Sequence, residues 1–177
     1  MEFKDLIESR RSVRKYAASE ISKAEVEAIV GEALNAPSWK NTEVTRYYAA
    51  VSAEAKRRLW DEALPSFNVA STANAAALVA VTFRNGESGY MGTAAANELG
   101  EMWGAYDCGL ASAYFVLAAK NHGWDSLILG IRDAGKIKSI MGIPDDETLT
   151  AVIALGKAAG AAAKPPRKPV GEVVKVL

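Results

Sequence analysis

Three arginines and a serine stand within five consecutive positions, Arg10, Arg11, Ser12 and Arg14. Guanidinium groups match phosphate oxygens with paired, charge-assisted hydrogen bonds, and a serine hydroxyl adds a neutral donor. A charge run standing alone is usually a solvated face, so the run gains meaning only from what surrounds it. A second segment with chemistry holds Pro37, Ser38, Trp39 and Asn41. Proline, serine and asparagine are turn formers, and an asparagine amide offers both a donor and an acceptor. A third lies far along the chain, where Arg167 sits among Lys164, Lys168 and three prolines. The only histidine, His122, and the only cysteine, Cys108, exclude a zinc site built from those ligands, a disulfide framework within the chain and a convincing Ser-His-Asp triad. Cys108 reads as a small buried hydrophobe and His122 as a helix-end residue facing the dipole. No Gly-x-Gly-x-x-Gly follows a strand, so a Rossmann dinucleotide site is not supported.

The elements that must position these residues alternate between helix and strand. Phe3, Leu6 and Ile7 have helical spacing and predict a first helix over 2–9. Ser22 and Glu25 form a capping-box pair ahead of the apolar set Val26, Ile29, Val30, Ala33 and Leu34. Pro37 ends that helix near Asn35 and leaves 36–41 as a loop. A strand is expected from Tyr47 to Val51, and Ser52 caps a helix over 53–63. Asn68 falls in a loop on this reading. The run 78–83 is continuously apolar and reads as a central strand, followed by a glycine-bearing loop over 84–92 that is the candidate pocket cover. The longest helix is expected over 93–121, with Leu99, Met102, Trp103, Tyr106, Leu110, Ala113 and Leu117 as its packed face. Gly100, Gly104 and Cys108 form a small-residue stripe that suits either packing within the chain or a dimer interface. Gly123 ends the helix, 126–131 and 150–155 read as strands, Asp133 caps a short helix closed by Gly142, and the tail after Lys164 is proline-stiffened and then β-prone.

Length and composition bound the rest. The chain has 177 residues and a mass of 18.8 kDa, suited to a single domain over 1–177 with 157–177 as an extended tail. There is no apolar run long enough to cross a membrane, and the acidic N-terminal residues do not make a signal peptide. One cysteine fits a reducing cytoplasm, and a pI near 6.6 argues against nucleic-acid binding. The formal charge of zero hides an asymmetry: 157–177 holds five basic residues and one acid, while the middle of the chain is acidic. The 33 alanines give close-packing helices that bury little area each, so a second subunit is expected to complete the core.

Taken in order, the arginine-serine run, the capped helix, the Pro37-Ser38 loop with Asn41, the stretch ending in Gly130, the Met141 to Asp146 segment and the tail around Arg167 resemble the FMN-dependent nitroreductase family over nearly the whole chain. The resemblance implies an α+β fold with a central, mostly antiparallel sheet flanked by helices, in a homodimer that exchanges its C-terminal tails. It implies FMN as cofactor and NADH or NADPH as co-substrate. It implies ping-pong reduction of a small-molecule electron acceptor such as a nitroaromatic or quinone, with the flavin carrying the chemistry and no dedicated catalytic side chain. Arg10, Arg11, Ser12 and Arg167 would hold the phosphate. Arg14 would face the flavin pyrimidine edge, where a fixed cation stabilises the charge of the reduced ring. Pro37, Ser38, Trp39 and Asn41 would contact flavin, partly that of the other subunit, Asn68 would reach the pyrimidine, and the backbone at Leu129 and Gly130 would pass near N5. Other chemistry on the same fold, such as reductive dehalogenation or flavin fragmentation, or a non-catalytic flavin-binding role, is the alternative. Glu43, Val44 and Thr45 replace a glutamine-proline-tryptophan run common in the family, and Leu129 replaces a common glutamate.

Overall fold

The computed structural model describes all 177 residues. The elements in chain order are α1 (Phe3–Ser9), β1 (Tyr16–Ala17), α2 (Lys23–Ala33), a 3-10 turn (Trp39–Asn41), β2 (Thr45–Ala50), α3 (Ala53–Glu62), α4 (Ser66–Thr72), β3 (Ala77–Arg84), β4 (Tyr90–Met91), β5 (Ala94–Ala95), α5 (Met102–Asn121), β6 (Asp125–Leu129), α6 (Ala134–Met141), β7 (Glu147–Ala158) and α7 (Val170–Val173). Local chemistry sets several boundaries. Ser22 and Glu25 close a reciprocal capping box on α2. Ser52 accepts from the Ala55 N–H at the start of α3, Asp133 accepts from the Lys136 N–H at the start of α6, and Gly142 ends α6 at φ +67.

Strand β7 is the spine of the sheet. On one side it pairs antiparallel with β3, which pairs antiparallel with β2 at the edge; on the other it pairs antiparallel with β6 and then, at its end, with β1. The one parallel contact joins Ser12 to Ser126. Residues Ala77 to Phe83 of β3 are all buried, as a strand covered on both faces must be. Val79 and Val81 face one layer with Ile29 of α2 and Phe115 of α5; Leu78 and Ala80 face the other with Leu59 of α3 and Ile137 of α6. This is an α+β architecture with a mostly antiparallel sheet between helical layers, as the resemblance implies.

Three expectations need correction. The long helix starts at Met102, because 93–101 is taken up by β5 and by turns in which Gly100 adopts φ +47. Its buried face is also the opposite of the one expected. Gly104, Asp107, Cys108, Ala111, Phe115 and Ala119 face the core, whereas Met102, Tyr106 and Ala113 are exposed. The helix is apolar nearly all round, so periodicity could not choose between its faces. Gly104 is required where it stands: a Cβ there would lie 2.4 Å from the Phe83 ring, so the small stripe serves packing within the chain. Finally, the tail forms a short helix at Val170–Val173 rather than a strand, and residues 163–177 are exposed. A β-prone run becomes a strand only when it pairs with an edge, and the tail pairs with none.

Candidate functional site

After α1 the chain turns at Arg10 and runs beside the start of β6, where the Val13 N–H donates to the Ser126 carbonyl at 3.0 Å. The Val13 side chain is buried, which leaves Ser12 and Arg14 on either side of it exposed. Arg10 and Ser12 line one cleft with Ser112 and Val116 of α5 and Thr150 of β7. Ser12 and Arg14 line a second with 159–163. Arg14 lines a third with Phe67, Asn68, Leu129 and Gly130. Ser12 borders the first two and Arg14 the last two, so the three clefts adjoin one another in a strip along the 10–14 segment. The Arg10 N–H donates to the Leu6 carbonyl at 3.1 Å, while its guanidinium makes no hydrogen bond or ion pair within the chain. Arg11 is turned away, its Nη1 donating to the carbonyls of Glu8 (2.5 Å) and Arg10 (2.7 Å). That contact satisfies carbonyls left open at the α1 C-terminus.

Asn68 is not in a loop. It sits on α4, a helix too short for periodicity to announce, with Pro65 at its N-cap. The residue is buried, and its Nδ2 donates to the Ile131 carbonyl at 2.7 Å, which fixes the chain just after β6. At Gly130 the space where a Cβ would project is open to 4 Å. Leu129 contributes backbone to this cleft, since its side chain is buried in the core.

The loop from Pro37 to Glu43 has a different character. Lys40, Asn41 and Glu43 are the non-glycine residues with positive φ, at +47, +56 and +49. Each such conformation costs about 1–2 kcal/mol, so the loop is held against strain. The Ser38 Oγ accepts from the Glu43 N–H at 3.0 Å, and Asn41 Nδ2 donates to Glu43 Oε1 at 2.9 Å. Trp39 packs on Trp103 with ring centroids 4.9 Å apart, and its backbone N–H donates to Asp107 Oδ2 at 2.9 Å. Pro37 and Ser38 line a narrow cleft with Asp107 and Tyr47. None of these residues borders the 10–14 strip, and Arg167, bonded only to the Pro165 carbonyl at 3.1 Å, lies apart from it in the exposed tail. A single chain therefore gathers Arg10, Ser12, Arg14, Asn68, Leu129 and Gly130, and leaves Pro37, Ser38, Trp39, Asn41 and Arg167 elsewhere. The 84–92 segment meets the 37–43 loop through Met91 and Lys40 and reaches α5 through Ser88, which donates to Asp107; it lines none of the clefts of the strip.

Asp107 and Ser88 escaped the sequence reading, because their partners are 19 or more positions away and no local motif marks them. Cys108 is fully buried, and burial pushes its thiol above the usual range, so it is inert. His122 sits 2.7 Å from Glu32, an exposed contact at the end of α5.

A model of the Nitroreductase family matches residues 7–157. The chain belongs to that family. Among curated relatives, a protein of Bacillus subtilis (strain 168) provisionally named NAD(P)H nitroreductase YdgI is 28% identical, covering 89% of this chain and 89% of its own. A protein of Archaeoglobus fulgidus provisionally named NADH dehydrogenase/NAD(P)H nitroreductase is 26% identical, covering 85% and 82%. Among solved structures, a provisionally assigned nitroreductase of Exiguobacterium sibiricum 255-15 in complex with FMN superposes with a TM-score of 0.88 at 24% identity, over 100% of this chain and 98% of its own. That likeness shows the nitroreductase fold. The match begins at Ile7 and so takes in the whole 10–14 segment, while the tail after Lys157 lies outside it.

Proposed function

We propose that this member of the Nitroreductase family binds FMN along the 10–14 strip and reduces small acceptors with electrons from NADH or NADPH. The observation that carries this reading is that Arg10, Ser12, Arg14, Asn68 and Gly130 line adjoining clefts along the 10–14 segment. The residues fit the group. Arg10 has an uncommitted guanidinium and Ser12 a neighbouring hydroxyl, a donor set suited to a phosphate. Arg14 supplies positive charge at the other end of the strip. With Nδ2 of Asn68 committed to Ile131, its Oδ1 is the atom left to accept from a ring N–H. The open face of Gly130 lets a planar ring approach the backbone. The chemistry supplied by bound FMN is two-electron transfer from a reduced nicotinamide to a nitroaromatic, quinone or similar acceptor. This chain's residues bind, orient and keep water out; none is required as an acid or base.

A homodimer completes the site on this reading. The exposed apolar face of α5 (Met102, Tyr106, Tyr114), with Phe3 and Ile7 of α1, suits a second copy of the chain. That copy would bring its 37–43 loop, and the tail carrying Arg167, to the strip. Residues 1–177 then form one FMN-binding domain, with 157–177 as its extended, exchanged tail. No helix is long and apolar enough to cross a membrane. The test is the absorbance spectrum of the purified full-length chain, before and after anaerobic NADH or NADPH. A bound flavin band that bleaches supports the reading. A colourless protein that takes up no FMN overturns it, and a band that stays oxidised overturns the reductase half.

A further inference from the structure

Asp107 is an unusual residue for its place. It lies on the core side of α5 and is 3% exposed, yet it forms no ion pair. Burying a carboxylate without a cation is costly, and such a group persists where its hydrogen bonds fix something. Both bonds from Asp107 Oδ2 leave the helix for a loop. One accepts the backbone N–H of Trp39 at 2.9 Å; the other accepts the hydroxyl of Ser88 at 2.7 Å. The first loop is the strained one, with three left-handed non-glycine residues between Lys40 and Glu43. The second belongs to the glycine-bearing segment ahead of α5. The two loops also meet directly, with Lys40 Nζ 2.7 Å from the Met91 sulfur.

We propose that Asp107 is a positioning residue that clamps the 37–43 loop and the 86–101 segment onto α5 as one unit, and so holds the loop in the shape that a ligand requires. The claim about the ligand rests on the proposed FMN function; the claim about the clamp does not. A backbone N–H held by a buried carboxylate is a stiff joint, since hydrogen bonds to charged groups are about twice as strong as neutral ones. Stiffness matters here because a strained loop relaxes once its anchor is lost. Ser88 donates to the same oxygen as Trp39, so both segments depend on one atom.

The experiment compares wild type with Asp107→Leu, Asp107→Asn and Ser88→Ala, each as the full-length chain. Leucine removes the buried carboxylate and strands the Trp39 N–H and the Ser88 hydroxyl, so the thermal midpoint is expected to fall by a few degrees while the chain stays folded. Amide hydrogen exchange in both 37–43 and 86–101 is expected to speed up about tenfold in Asp107→Leu. In Ser88→Ala only 86–101 should respond. The FMN dissociation constant, read by flavin fluorescence, should rise about tenfold in Asp107→Leu and return to within a few-fold of wild type in Asp107→Asn, whose amide oxygen still accepts from Trp39. Unchanged exchange in both segments of Asp107→Leu overturns the clamp. So does exchange that rises throughout the chain, because that marks lost stability rather than a lost joint. Faster exchange in both segments with an unchanged FMN constant overturns the role toward the ligand. A wild type that takes up no FMN overturns the functional reading instead, and the exchange result still decides the clamp.

Discussion

The two halves of the candidate site are built in opposite ways. The 10–14 segment is held by its backbone and by buried Val13, and its polar side chains are largely unspent: the Arg10 guanidinium bonds to nothing in the chain, and Arg14 reaches only the Ser12 carbonyl at 3.4 Å. The 37–43 loop spends its polar groups on itself, on Ser38, Asn41 and Glu43, and on Asp107. The first half can recognise a ligand by charge. The second offers mainly shape, since most of its polar groups are committed, with the unpartnered Trp39 Nε1 as its one buried free donor. The difference teaches where each kind of substitution should act: removing a charge from the first half should cost affinity and little stability, whereas damage to a support should cost both.

The largest effect is expected from Arg10→Ala. Removing a charge-assisted donor from a phosphate costs about 1.5–3 kcal/mol, or roughly a tenfold to hundredfold rise in the FMN dissociation constant. Fluorescence titration checks it, and the thermal midpoint of the apoprotein should barely move. If stability falls with affinity, the contrast between the halves breaks. Next comes Asn68→Ala, which strands the Ile131 carbonyl and should cost about 1–3 kcal/mol of stability in urea unfolding, with a smaller loss of FMN affinity through the missing Oδ1 acceptor and the shifted Gly130 backbone. Loss of affinity with full stability would make Asn68 a ligand contact alone. Smallest is Ser22→Ala, which removes the α2 cap far from either half and should cost about 1 kcal/mol of stability while FMN affinity stays put. An affinity change there would mean that the halves are not insulated from the body of the fold.

What the sequence made legible follows the range of each interaction. Ser22 with Glu25, Asp133, Gly123 and Gly142 act within a few residues, and the helix ends they predict are the ones seen. The run 78–83 reads as a central strand because burial on both faces leaves it without a charge and with Thr82 as its one polar residue. The arginine-serine run, read with the order of the later motifs, pointed to a strip that also gathers Asn68 and Gly130. Long-range features were illegible. The α5 face was misassigned because Leu99, Met102 and Tyr106 repeat as regularly as the truly buried Gly104, Cys108 and Phe115. Asp107 was missed because its meaning depends on Trp39, 68 positions away. The separation of Pro37 and Arg167 from the strip is a property of one chain, and a periodicity argument carries no information on which parts of a site another copy provides.

The account stands most directly on whether the 10–14 strip holds FMN, and one titration tests it. Purified full-length protein is stripped of flavin and titrated with FMN in parallel with Arg10→Ala, then reduced anaerobically with NADH or NADPH. The account predicts saturable uptake by wild type, a flavin band that bleaches on reduction, and binding at least tenfold weaker in Arg10→Ala. Equal FMN affinity in the two proteins would contradict the phosphate assignment, and no uptake by wild type would contradict the account itself.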